Sequence, residues 1–517
     1  MTTLPDELWQ CVFSTFEDRV ILDGWKMYGI GQTSKRATLS ALCRVCRQFG
    51  RIAQPLLYRT IFVDEWQNYG TLIENPQLGE QIRSCSLSDD TGMKWTENKL
   101  LGWKDTRELV FTALRHLNLS SALVERMRKS LTRGFGIVAL CAAFMPNLNR
   151  VSFRIDESSS PAAWMLCGTL GLEEEIASRP YHSEDEWEDE ESDDDDDDFY
   201  EDSGRDQLLP SCLKGALANY GFQHLTEVWV KTIGSQGGNT PAWVIEPLFL
   251  HPTLKTLRTL GIDWYDEEHS RLKWPERESN LEYLYLEEVI IDASGFQSIL
   301  QRCQKLKGIT VNLADWQRKG ASRESYEDWL VDLDGFGNAL RLYGQGLELF
   351  DLRTADYDRN IHSVINTDFD DYPNEGRLGS LQTLTSLRHL KITEAQLLGV
   401  EERGNSLTFS KALPDSIETL HLHMHSSYHA GQHYRYDRDT LAKALQVNRN
   451  IHALLLEGKM PRLREIQIER HSGDKFTNKC PAELRVEGWD AKYVDETRWQ
   501  KCLEPGRVNT IITLSKR

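Results

Sequence analysis

Nowhere in this chain do apolar residues run for the roughly 20 positions that a membrane-spanning helix requires, so no membrane span is expected. The first residues, from Met1 to Glu7, offer neither the basic start nor the apolar core of a secretory signal, which points to the cytosol or the nucleus. Catalytic signatures are also missing. There is no Gly-x-Ser-x-Gly, no phosphate loop and no His-Glu-x-x-His, and the glycine-rich stretch 234–238 lacks the lysine of a phosphate cradle. A non-enzymatic protein with no cofactor is the expectation. Cysteine is present but scattered. The ten thiols include one Cys-x-x-Cys, Cys43 with Cys46, and no second pair stands at zinc-ribbon spacing, so reduced thiols and no metal are expected. No basic stripe marks a nucleic-acid binder.

Positive charge is scarcest in one place. Residues 184–202 hold fifteen carboxylates and no Lys or Arg. Setting those fifteen aside leaves 64 acidic residues against 60 basic ones, a net of −4 instead of −19. The acidity is therefore local, and mutual repulsion predicts a disordered acidic insertion over about residues 183–204. Such a run is either a solvated loop or a lure for a basic partner.

What is present begins at the N-terminus. Leu4-Pro5-Asp6-Glu7-Leu8 reads as a helix start, with Pro at the first helical position and two carboxylates at the positive end of the dipole. Leu8, Val12 and Phe16 then form one face, with Trp9 and Phe13 alongside. After a polar stretch over 17–38, a second helical pattern runs Leu39, Leu42, Cys46, Phe49 and Ala53, and Pro55 is expected to end it. Two short amphipathic helices bury little surface alone, so a partner is expected to complete them.

These residues, with Leu42-Cys43-Arg44-Val45-Cys46-Arg47-Gln48-Phe49 and the closing Pro55-Leu56-Leu57-Tyr58-Arg59-Thr60, resemble the F-box, particularly that of fungal F-box proteins. The resemblance implies a helical module that docks onto the Skp adaptor of a cullin–RING ubiquitin ligase. It assigns the docking contact to Leu4, Pro5, Leu8, Val12, Phe13, Leu42, Val45, Cys46 and Phe49. The 17–38 stretch is roughly ten residues longer than the family usually has.

Farther along, the pattern apolar-x-x-apolar-x-apolar starts at Ile82, Leu114, Leu148, Leu225, Leu257, Leu281, Leu306, Leu347, Leu387, Ile417 and Leu463. Several copies follow a helical stretch ending in a proline turn, as at His251-Pro252-Thr253-Leu254, and helix, turn and strand in repetition is a solenoid unit. These phrases resemble F-box proteins with leucine-rich repeats. The expected fold is α/β: a small helical F-box over residues 1–60, an irregular leucine-rich-repeat horseshoe over 61–470, and a C-terminal cap or tail over 471–517. A non-repetitive α/β domain is the alternative.

On such strands the residues flanking the inner apolar positions share one face. Trp229, Tyr283, Tyr285, Asp351, Arg353, His389, Lys391, His421 and His423 are its candidates for binding a target protein. His421, His423 and His425 would also share a strand face, but ligands on one straight strand diverge, so a polar sheet face is expected rather than a metal site. The expected function is substrate recognition for an SCF-type ligase, acting by proximity and not by chemistry of its own. The alternatives are an F-box scaffold independent of ubiquitin, or an acidic protein that binds histones or importins.

Overall fold

The computed structural model describes residues 5–16, 32–63, 76–87, 145, 147–155, 224–232, 240–249, 251–264, 279–314, 331–354, 376–399, 407–423, 438–471, 481, 484–497 and 508–517. The chain opens with three helices, α1 (Asp6–Ser14), α2 (Gln32–Cys43) and α3 (Arg47–Arg59). They close on a small core of Phe13, Leu39, Ile52, Ala53 and Leu56, against which Trp9, Phe16 and Phe49 pack. The aromatic rings set the angle between α1 and α3. Trp9 and Phe49 lie 4.7 Å apart, and Phe13 meets Phe49 edge to face at 5.1 Å. At the rim Asp6 pairs with Arg51 and accepts a 2.8 Å hydrogen bond from Gln48.

Two expectations for this region change. The second helical pattern is two helices, because Cys46 is extended and its Sγ accepts from the Phe49 backbone N–H, capping a new helix. Pro55 also fails to end α3, which continues to Arg59. A proline removes one helical hydrogen bond, and burial of Leu56 among Ile52 and Ala53 holds the following turn in place.

From Thr60 onward the chain builds a sheet. Its strands are β1 (Thr60–Val63), β2 (Ser84–Leu87), β3 (Arg150–Ile155), β4 (Glu227–Thr232), β6 (Thr256–Leu260), β8 (Tyr283–Val289), β9 (Gly308–Leu313), β10 (Leu349–Thr354), β11 (His389–Ile392), β12 (Thr419–Leu422), β13 (Glu465–His471), β14 (Trp489–Thr497) and β15 (Val508–Lys516). Two short strands, β5 (Thr240–Pro241) and β7 (Ile262–Asp263), pair separately. The 13 strands stand in chain order and parallel from β1 to β13, then β15 and β14 add antiparallel. Nine of the eleven pattern starts stand two residues before a strand, Leu257 falls inside β6, and Leu114 lies outside the described residues.

Period-two alternation gives each strand one buried face. Val228, Leu257, Leu284, Ile309, Phe350 and Leu390 occupy a single register row, all buried. Helices α4 (Ala293–Arg302) and α5 (Leu333–Tyr343) cover this side. Phe296 and Phe336 stack between them at 4.5 Å, and Phe296 also reaches Phe350 of β10. Each of the two helices begins on an aspartate, Asp292 and Asp332, whose side chain accepts from the third backbone N–H.

The expected division into a small helical F-box and an irregular leucine-rich-repeat horseshoe is corrected. A single, mostly parallel α/β sheet of 13 strands runs through the molecule. The helical start keeps its own small core, while Thr60, the first residue of β1, directly follows the last residue of α3, and Ile61 enters the sheet's core. Residues beyond 471 likewise enter the sheet, since β15 pairs along the whole of β13. Among the described residues no helix is long and apolar enough to cross a membrane.

Candidate functional site

The sheet's other face carries polar side chains in register. The row through the strand middles reads Ser152, Trp229, Arg258, Tyr285, Thr310, Asp351, Lys391, His421 and Gln467. At one end Arg258 lies between aromatic rings, its guanidinium carbon 4.5 Å from the Trp229 centroid and 3.8 Å from that of Tyr285. Trp229 donates its Nε1–H to Glu227 at 2.6 Å, and Arg150 pairs with the other oxygen of the same carboxylate. In the middle, Glu287 accepts from Asn312 at 2.7 Å and lies 3.7 Å from Arg353.

The other end is buried. His421 and His423 sit two apart on one strand face, about 7 Å along the backbone, yet their rings tilt to centroids 4.9 Å apart. Glu469 arrives from the neighbouring β13 because Gln467 is paired with His421, which carries Glu469 to the level of His423. Glu469 Oε1 is 2.8 Å from His421 Nε2 and 3.4 Å from His423 Nδ1. The other nitrogen of His423, Nε2, is 2.9 Å from Asp351 Oδ1, and Lys391 Nζ lies 4.0 Å from Asp351 Oδ2. All four of His421, His423, Glu469 and Asp351 are buried.

Burying charges this deeply costs several kcal/mol per ion unless they are paired. Burial pulls the His423 pKa down, but its hydrogen bonds to Asp351 and Glu469 and their charges outweigh that, so it titrates above the ordinary histidine value. Burial pushes Asp351 up, and again the bond from His423, with His423, Arg353 and Lys391 nearby, leaves its carboxyl below the usual range. A carboxylate on each side of His423 suits an imidazolium, which donates from both nitrogens. The same donors, His421 Nε2, His423 Nδ1 and a Glu469 oxygen, lie within 4.8 Å of one another and could instead hold a metal ion.

The sequence-derived candidates fall into two groups. Trp229, Tyr283, Tyr285, Asp351, Arg353, His389, Lys391, His421 and His423 all stand on the polar face, with Tyr283 exposed and His421 and His423 buried. On the helical start, Pro5, Leu8, Val12, Val45 and Cys46 are exposed, Leu42 and Phe49 are half-buried, and Phe13 is core. Phe13 thus serves as an internal brace of the helical core. Leu4, His425 and the acidic stretch 183–204 lie outside the described residues.

Sequence reasoning missed Glu469 and Arg258. Both follow from counting along the pattern: four residues on from a start falls in the middle row, six on falls beside His423. Leu463 plus six is Glu469. Arg258 is hidden because the equivalent start is Leu254, not Leu257, as the pairing of Thr256 with Tyr283 shows. No known family model and no curated protein matches this chain.

Proposed function

We propose that this chain is a substrate-recognition adaptor of an SCF-type cullin–RING ubiquitin ligase. Its N-terminal helices hold the Skp adaptor, and the polar face of the sheet holds the target protein. The observation that carries the reading is on the helices. Leu8, Val12 and Val45, three positions that the F-box resemblance assigns to docking, are 50%, 47% and 64% exposed, while Trp9, Phe13 and Phe49 are turned inward to make the core. Leu8 and Val12 are one turn apart on the same helix face. Large apolar side chains grouped in the open mark a surface that a partner covers.

The target-binding part rests on the mixed aromatic and cationic end, where Trp229, Arg258 and Tyr285 form a stacked ladder of the residue types that dominate binding energy at interfaces. The chain supplies no chemistry in this reading; it brings a target lysine near a conjugating enzyme carried by other subunits.

The test uses charge reversal at exposed positions, which leaves the helical core intact. Leu8→Glu, Val12→Glu and Val45→Glu together are expected to abolish co-purification of the Skp adaptor and the cullin from the native host. Skp adaptor retained at full yield by the triple variant overturns the reading. Skp adaptor captured without any cullin replaces it with a scaffold role independent of ubiquitin.

A further inference from the structure

The buried histidines and carboxylates at the β10–β13 end of the polar face have a geometry that substrate docking does not require. We propose that His421 Nε2, His423 Nδ1 and the Glu469 carboxylate bind one divalent transition-metal ion, zinc by preference, with Asp351 as a positioning residue behind His423.

Three observations converge on it. First, the donor atoms are already grouped. In a tetrahedral zinc site with Zn–N bonds of about 2.0–2.1 Å, neighbouring donors stand about 3.3 Å apart. Glu469 Oε1 is 2.8 Å from one histidine nitrogen and 3.4 Å from the other, and all three donors lie within 4.8 Å of one another, so the two imidazoles must draw together by up to about 1.5 Å to close the set on an ion. Second, the ligands come from two strands. The rings of His421, on β12, and His423, just past its end, lie 4.9 Å apart, and the carboxylate approaches from β13. This removes the difficulty that three donors on one straight strand would diverge. Third, the outer shell is in place. His423 reaches Asp351 through Nε2 at 2.9 Å, which leaves Nδ1 facing Glu469 and able to ligate once the incoming ion displaces its proton, and Lys391 lies 4.0 Å from the far oxygen of Asp351. A ligating histidine whose other nitrogen donates to a carboxylate is the usual support of a metal site.

Two imidazoles and one carboxylate suit zinc and its borderline neighbours better than calcium or magnesium, which take all-oxygen cages. Three protein ligands leave the fourth position of a tetrahedron for water or for a donor from a bound partner. The site lies in the same rows as the target-binding candidates, yet its existence does not depend on the ligase reading.

The experiment uses the full chain, stripped with a chelator and then titrated with zinc against a chromophoric competitor. Excess calcium is present to occupy oxygen-only sites such as the 184–202 carboxylates. One zinc per chain is expected at micromolar concentrations. Cobalt(II) in its place should give the strong visible absorption of a four-coordinate ion, a readout that needs no variant. His421→Ala and Glu469→Gln are expected to abolish stoichiometric binding. Asp351→Asn keeps all three donors and is expected to weaken it about 10–100-fold. His452→Ala, on the helix spanning Arg438–Glu457, should leave it unchanged. Circular dichroism of the stripped variants separates lost ligation from lost folding. Absence of stoichiometric zinc in the unsubstituted chain, or binding indifferent to both His421→Ala and Glu469→Gln, overturns the proposal.

Discussion

His251 stands in the proline turn before β6 with its ring buried, and its Nδ1 accepts a hydrogen bond from the Thr253 backbone N–H. Desolvation pushes its pKa down to about 4 from an ordinary 6.5. The folded protein therefore keeps it neutral where the unfolded chain takes up a proton. Stability from this group is complete above pH 6.5 and is lost as pH falls toward 4, where both forms are protonated. The span corresponds to about 3 kcal/mol. Urea unfolding between pH 7 and pH 4 should show the loss, and His251→Asn should flatten it. A second residue prediction concerns Gly337 on α5. A Cβ there would meet the Leu378 carbonyl oxygen at 2.1 Å, and backbone cannot step aside as a side chain can. Gly337→Ala should cost about 1–3 kcal/mol in equilibrium unfolding.

The alternating strands were the most legible elements. Their pattern of apolar residues placed nine strand starts, since a parallel strand with one buried face repeats every two residues whatever its partners. The helical start was harder. Nearly every apolar position of α1 fits either a core face or an outward one, so periodicity alone could not tell that Trp9 and Phe13 turn inward while Leu8 and Val12 face out. Glu469 was harder for another reason: counting along the pattern reaches it only once the two strands, whose pattern starts lie 46 residues apart, are taken as paired neighbours in register. The element-level prediction follows from the caps. Asp332→Ala removes the side chain that accepts from the Gly335 N–H at the head of α5, and should cost about 1 kcal/mol. Phe336→Ala, which empties the stacked contact with Phe296, should cost about 3–5 kcal/mol. Thermal unfolding that ranks the two in the opposite order would contradict the packing described for α4 and α5.

Across the whole molecule, one sheet joins the helical start to the buried histidine end. The change from helices to sheet falls at residue 60, where α3 runs into β1 without a linker and Ile61 enters the sheet core. The ligase reading can be tested without knowing the target. Purified full chain mixed with purified Skp adaptor and run on size-exclusion chromatography with light scattering should give a complex of one to one mass that then recruits the cullin. The Leu8→Glu, Val12→Glu, Val45→Glu chain should elute alone. If the unsubstituted chain also elutes alone at concentrations where other Skp partners bind, the proposed function is wrong.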